Sequence, residues 1–171
     1  MFDTEFRFQG IHAEKARKLT EAYNDDGDKI LPRTVDLFIL APIIGFLYQR
    51  TAPIDKQNDK ERKVFAGQLI GNKADIMYVF STIMLLDAEY EPDDQKRVDK
   101  AFSGQNSKED EERFCSFMRG GVDIIYDKIM GDSALPRDYL NLFFDFLDEM
   151  NNRHSFDVDK NNFMEMCRKF E

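Results

Sequence analysis

The 171-residue chain has no tryptophan, two histidines and two cysteines, and each scarcity removes a class of chemistry. A structural zinc site takes four nitrogen or sulfur ligands. His12, His154, Cys115 and Cys167 would therefore all have to converge on one ion, and no metal is expected. Two thiols far apart, with no Cys-x-x-Cys pair, read as buried and reduced. Nine glycines and five prolines exclude collagenous and low-complexity classes. There is no Gly-x-Ser-x-Gly elbow, no Gly-x-x-x-x-Gly-Lys-Ser/Thr loop and no Gly-x-Gly-x-x-Gly turn. Neither a hydrolase nucleophile, nor a familiar phosphate cradle, nor a cofactor is expected. The opening residues Met1 to Phe6 lack the pattern of a secretory leader. The most apolar run, 37–47, is 11 residues long, against the roughly 20 needed to cross a bilayer. The expectation is a cytoplasmic protein without a membrane segment.

What the chain does contain is phenylalanine, 16 residues of it, with 6 tyrosines and 8 methionines. Valine is scarce, which favours helix over strand. With 42% hydrophobic and 33% charged residues the chain should fold, and its length suits a single domain over 1–171. The periodicity predicts an all-α bundle of seven or eight helices around a buried hydrophobic helix at about 34–48. In that helix Thr34 reads as the N-cap, apolar residues cover every face, and Pro42 is expected to kink the axis. Further helices are expected at about 12–23, 59–70, 74–88, 92–103 and 108–130. Another opens at Pro136 with Leu140, Phe143, Leu147 and Met150 facing inward, and a last one carries Phe163, Cys167 and Phe170. Residues 1–10 alternate Phe2, Phe6 and Phe8 with polar residues and read as an extended arm or strand with no evident partner.

Charge is uneven along a chain of net charge −9. Residues 87–112 hold ten acids and four bases, while 50–73 hold six bases and three acids. The acidic block suggests a solvated lobe that steers a protein partner with a basic surface. Asp93, Asp94, Glu109 and Glu111 are its candidate contact residues. The block is too short for a DNA mimic, and a pI near 4.8 argues against direct nucleic-acid binding. Self-association into a homo-oligomer is compatible with the same composition. Gly45, Gly120 and Gly121 lie inside expected helices, where each costs about 0.8–1 kcal/mol relative to alanine. Either two helices cross closely there, or a pocket or partner helix rests on the glycine face.

Two motifs bear on catalysis and ions. Arg7 and His12 have the Arg-x4-His spacing of HEPN ribonucleases, in which a cation and an imidazole act on phosphate and ribose hydroxyl. Gly10 and the N-terminal position depart from that pattern, so the ribonuclease is the alternative reading. Asp157, Asp159 and Asn161 match the opening of an EF-hand loop, but Asn162 and Arg168 stand where glycine and a bidentate glutamate are required.

The stretches 34–46 (TVDLFILAPIIGF) and 114–126 (FCSFMRGGVDIIY) resemble segments of small uncharacterised bacterial proteins encoded near restriction and DNA-modification genes. The resemblance covers about a sixth of the chain and carries packing motifs only. It implies an accessory role in bacterial defence and identifies no site; the absence of any complete catalytic or cofactor motif, with the acidic block and the abundance of phenylalanine, points to a non-catalytic interaction subunit of a bacterial multiprotein system.

Overall fold

The computed structural model describes residues 2–56, 58–104, 107–131 and 134–153. In chain order its elements are β1 (Phe6–Gln9), α1 (Gly10–Thr20), α2 (Thr34–Leu47), β2 (Glu61–Val64), α3 (Ala66–Gly71), α4 (Lys73–Leu86), α5 (Asp94–Phe102) and α6 (Lys108–Met130). A 3-10 turn (Pro136–Asp138) leads into α7 (Tyr139–Arg153). Seven α-helices and one two-stranded sheet thus make up the described residues, an all-α bundle. No described helix is long and apolar enough to cross a membrane.

The longest helix begins where local chemistry demands it. Ser107 Oγ accepts from the Asp110 amide at 3.1 Å, and Asp110 returns the bond from the Ser107 amide at 2.9 Å, which satisfies first-turn donors that α6 cannot satisfy internally. Phe114, Phe117, Met118, Val122, Ile125 and Ile129 then recur at helical spacing and are all buried. α2 packs against α6, and its Val35, Leu37, Phe38, Ala41 and Ile44 are buried. Its outer residues Ile39, Leu40, Ile43 and Phe46 are half-buried, so the helix is enclosed on most sides rather than on all.

The close approach of α2 and α6 is made by glycine. A Cβ at Gly121 would overlap the Ala41 carbonyl, one at Gly45 would overlap the Phe117 carbonyl, and one at Gly120 would overlap the Arg50 carbonyl. Close helix crossing is therefore the role of Gly45 and Gly121, while Gly120 admits the chain at Arg50 and Thr51 just after α2, and the backbone cost of all three is offset by contact that any side chain would prevent.

β1 pairs antiparallel with β2, Phe6 opposite Val64 and Gln9 opposite Glu61. Phe8 and Val64 enter the core, and Phe6 meets Phe38 edge-on at 4.9 Å. The expected unpaired arm is thus a strand with a partner, and the helix expected over 59–70 is strand β2 followed by the short α3. Residues 59–63 are all polar, so their extended form comes from β1 and not from their own pattern. The joint between β1 and α1 needs glycine: Gly10 has φ of 59°, and a side chain there would strike Asp55. Asp55 Oδ2 accepts the Ile11 amide at 2.9 Å, so a residue from a distant loop caps α1.

Two local expectations change. Arg33, not Thr34, precedes the first residue of α2, with Asp36 Oδ2 accepting its amide at 3.0 Å, and the buried Pro42 lies inside the helix as expected. In α7 Phe143 and Met150 pack half-buried against the core as expected, but the buried residue is Phe146, beside Tyr48, and Leu140 and Leu147 are exposed. The helix expected around 163–170, Cys167 and the EF-hand-like stretch lie outside the described residues.

Candidate functional site

α4, α5 and the start of α6 form a unit held by buried charge. Arg113 on α6 grips Asp87 at the end of α4, Nε to Oδ2 at 2.7 Å and Nη2 to Oδ1 at 3.2 Å. Its guanidinium also lies over Phe117, 4.5 Å from the ring centre, and 5.6 Å from that of Tyr90. Asp110 is equally buried and accepts from Tyr90 Oη at 2.9 Å, Lys100 Nζ at 2.6 Å and both Ser107 donors. Burial pushes the Asp110 carboxyl up, but the bonds from Lys100, Ser107 and Tyr90 outweigh it and hold the group below the usual carboxylate range. The bond to Asp110 raises Lys100, and burial first, then Asp110, raises Tyr90.

This clasp sets the register of α5 on α4. Ser81 Oγ donates to the Ala101 carbonyl at 2.6 Å, and Arg97 Nε donates to the Leu85 carbonyl at 3.0 Å. The two helices are thus antiparallel, with 101 beside 81 and 97 beside 85. In such a pair the residue after each contact position turns to the same outer side. Tyr78 and Leu86 of α4 therefore share a face with Val98 and Phe102 of α5. Along that face the order is Tyr78, Phe102, Val98, Leu86, over about 12 Å at 1.5 Å per residue. Tyr78 is 75% exposed and Phe102 67%. Exposed carboxylates border them: Asp75 at one end, Glu89 and Asp94 at the other, and Asp99 beside Val98. Lys96 is the exposed base of α5, since Arg97 is engaged by Asp94 and main-chain carbonyls and Lys100 by Asp110.

The acidic block is consequently less solvated than its composition suggests. Of its ten acids Asp87 and Asp110 are buried, leaving eight at the surface against four bases. Asp94 and Glu109 are exposed and Glu111 is half-buried. Asp93 is exposed too but has a structural duty, accepting the Lys96 amide at 2.9 Å as the N-cap of α5. Gly121 is buried in the α2–α6 crossing and Gly120 against Arg50 and Thr51 just after α2, and neither presents an open face. The residues that composition missed are the four apolar ones. The visible signal for Phe102 and Val98 is their i, i+4 spacing in an otherwise charged helix.

Arg7 and His12 do not line a common cavity among those described. Arg7, on the exposed side of β1, pairs with Glu5 at 2.8 Å and Glu61 at 2.9 Å. His12 is 4% exposed, with Nε2 3.5 Å from Asp123 and neither ring nitrogen in a hydrogen bond. Burial pushes Asp123 up, but His12 and Lys15, which donates at 2.8 Å, hold it below the usual range. Cys115 is buried, and burial pushes its thiol up to about 12, which leaves it protonated and a poor nucleophile at neutral pH. Among the described residues no group of three histidine, cysteine or acidic side chains is placed to hold a metal ion. No protein-family model matches this chain, and comparisons with curated proteins and with solved structures find no match.

Proposed function

We propose that this protein is a non-catalytic interaction subunit whose α4–α5 face docks a partner presenting apolar residues among basic ones. The observation that carries the reading is the row Tyr78, Phe102, Val98 and Leu86, exposed side by side and bordered by Asp75, Glu89, Asp94 and Asp99. Interfaces draw most of their energy from a few apolar and aromatic anchors, while charges at the rim govern encounter and orientation. A basic amphipathic helix fits both parts of this surface: its apolar stripe covers the row and its lysines or arginines meet the carboxylates. The clasp beneath keeps the face rigid, which lowers the ordering cost of binding. The likeness of 34–46 and 114–126 to proteins encoded near DNA-modification genes supports a setting in a cytoplasmic bacterial defence assembly.

Affinity purification with the wild-type protein and with a Leu86→Asp/Phe102→Asp variant tests the reading, since both side chains are exposed and the variant should fold. Partners recovered with the wild type and lost with the variant support it. Partners retained by both overturn the assignment of the face. The ribonuclease alternative predicts RNA cleavage that is abolished by His12→Ala and by Arg7→Ala.

A further inference from the structure

The end of α1, the segment ahead of α2, strand β2 and the start of α3 enclose a cleft of about 440 Å³. That is within the range of small-molecule sites, roughly 300–1,000 Å³. Four cations line it, Lys29, Arg33, Arg62 and Lys63, against one carboxylate, Glu61, which faces Arg7 at 2.9 Å. Arg33 is paired with Asp36 at 2.5 Å, and Lys63 lies 3.3 Å from the half-exposed Glu5. Lys29 is exposed and has no ion-pair partner among the described residues. Arg62 is fixed: its guanidinium donates to Thr34 Oγ1 at 3.2 Å, Thr20 Oγ1 at 3.1 Å and Glu21 at 3.3 Å. Phe65 also lines the cleft and is 60% exposed, although it directly follows the buried Val64.

We propose that this cleft binds a nucleoside phosphate, with the phosphate between Lys29 and Lys63 and the base stacked on Phe65. Positive side chains meeting from separate segments suit a compact anion of high charge. The exposed ring distinguishes the ligand, because a bare phosphate or a carboxylate makes no use of an aromatic face, whereas every nucleobase does. The sequence conceals the site for two reasons. Lys29 and Arg33 lie outside the basic stretch 50–73, and the phosphate is met by side chains instead of a glycine-rich loop.

The test uses the full chain with AMP, adenosine and inorganic phosphate, each at about 1 mM, and with single-stranded oligonucleotides of increasing length. Binding is followed by amide chemical shifts and by calorimetry. Lys29, Lys63 and Phe65 are exposed or half-exposed, so Lys29→Glu/Lys63→Glu and Phe65→Ala should keep the fold, as thermal unfolding will verify. AMP should shift the resonances of residues 29–34 and 62–68 and bind more tightly than either phosphate or adenosine. Phe65→Ala should weaken AMP roughly 5- to 160-fold, the range for loss of one base–aromatic stack, and leave phosphate unchanged. The double charge reversal should abolish both. The proposal is overturned by absence of an AMP response at that concentration, or by AMP affinity indifferent to Phe65. Affinity that climbs with the length of a single-stranded oligonucleotide would likewise overturn it, since it describes a nucleic-acid track.

Discussion

Gly45 and Gly121 face each other across the α2–α6 crossing, each so close that a Cβ on Gly121 would lie 2.9 Å from the Gly45 nitrogen and one on Gly45 would lie 3.1 Å from the Gly121 nitrogen. The nearest atoms to both are main-chain carbonyls, which cannot move aside as a flexible side chain can. Alanine at either position should destabilise the protein by about 1–3 kcal/mol through overpacking. Gly67, within α3, has nothing within 4 Å of its Cβ position. Alanine there should stabilise by about 0.5–1 kcal/mol, as expected from helix propensity. Urea midpoints of the three variants compare the two situations, and equal effects at all three would disprove the close crossing.

Arg113 and Asp87 provide a second measurement. Removing the cation leaves a buried carboxylate without its charge partner, so Arg113→Met should cost about 3–5 kcal/mol. Combining it with Asp87→Asn removes the stranded charge and should restore a large part of that loss. A double variant as unstable as the single one would show that the arginine acts through its packing on Phe117 and Tyr90.

The direction of the Asp110 shift fixes a pH dependence. Its folded value is below the unfolded one, near 3.8. The stabilisation is therefore fully present above pH 3.8 and is lost as the pH falls through the lower folded value. Asp110→Asn should be less stable at pH 7, and its stability should fall less steeply below about pH 4. Parallel curves of urea midpoint against pH for the two proteins would count against an ionised Asp110 in the clasp.

Among the described residues His12 is the buried side chain whose nitrogens make no hydrogen bond. An unsatisfied polar group costs about 1–3 kcal/mol, so His12→Leu, close in volume, should hold or raise the unfolding temperature. A large loss of stability would mean that the contact with Asp123 is worth more than its 3.5 Å separation suggests.

Charge and apolar contact on the α4–α5 face should separate kinetically. Glu89→Lys, Asp94→Lys and Asp99→Lys together should slow association with a basic partner by about tenfold or more at low salt. Phe102→Ala should act mainly on dissociation, with a loss of about 2 kcal/mol or more if it is an anchor. Asp93 is excluded from such a set because its loss as N-cap costs about 1 kcal/mol by itself.

Elements whose signals are local were legible in advance. α6 has its Ser107 cap and unbroken apolar row, and its bounds match the reading of the sequence. β2 was hidden because Glu61, Arg62 and Lys63 have ordinary helix propensity; antiparallel pairing with the distant strand β1, Arg7 opposite Lys63 and Gln9 opposite Glu61, overrides it. The phase of α7 depends on where Phe146 meets Tyr48, which its many apolar residues leave open. Within the site, counting charges could not distinguish Asp94 from Asp110, since the difference lies in Lys100 and Tyr90. Asp87 was partly visible, as an acid in the apolar row Ile76, Phe80 and Ile83.

The α2–α6 crossing also has a consequence for the timing of synthesis. Gly45 precedes Gly121 by 76 positions, and translation at about 5–20 residues per second separates them by roughly 4–15 s. Throughout that interval the most hydrophobic helix of the protein has left the ribosome or is leaving it without the surface that covers it. β1 and β2 can close around α1 in the meantime, but they bury only part of α2. A nascent chain halted before residue 108 should therefore be a substrate for chaperones that hold apolar segments, and completion of α6 should release it.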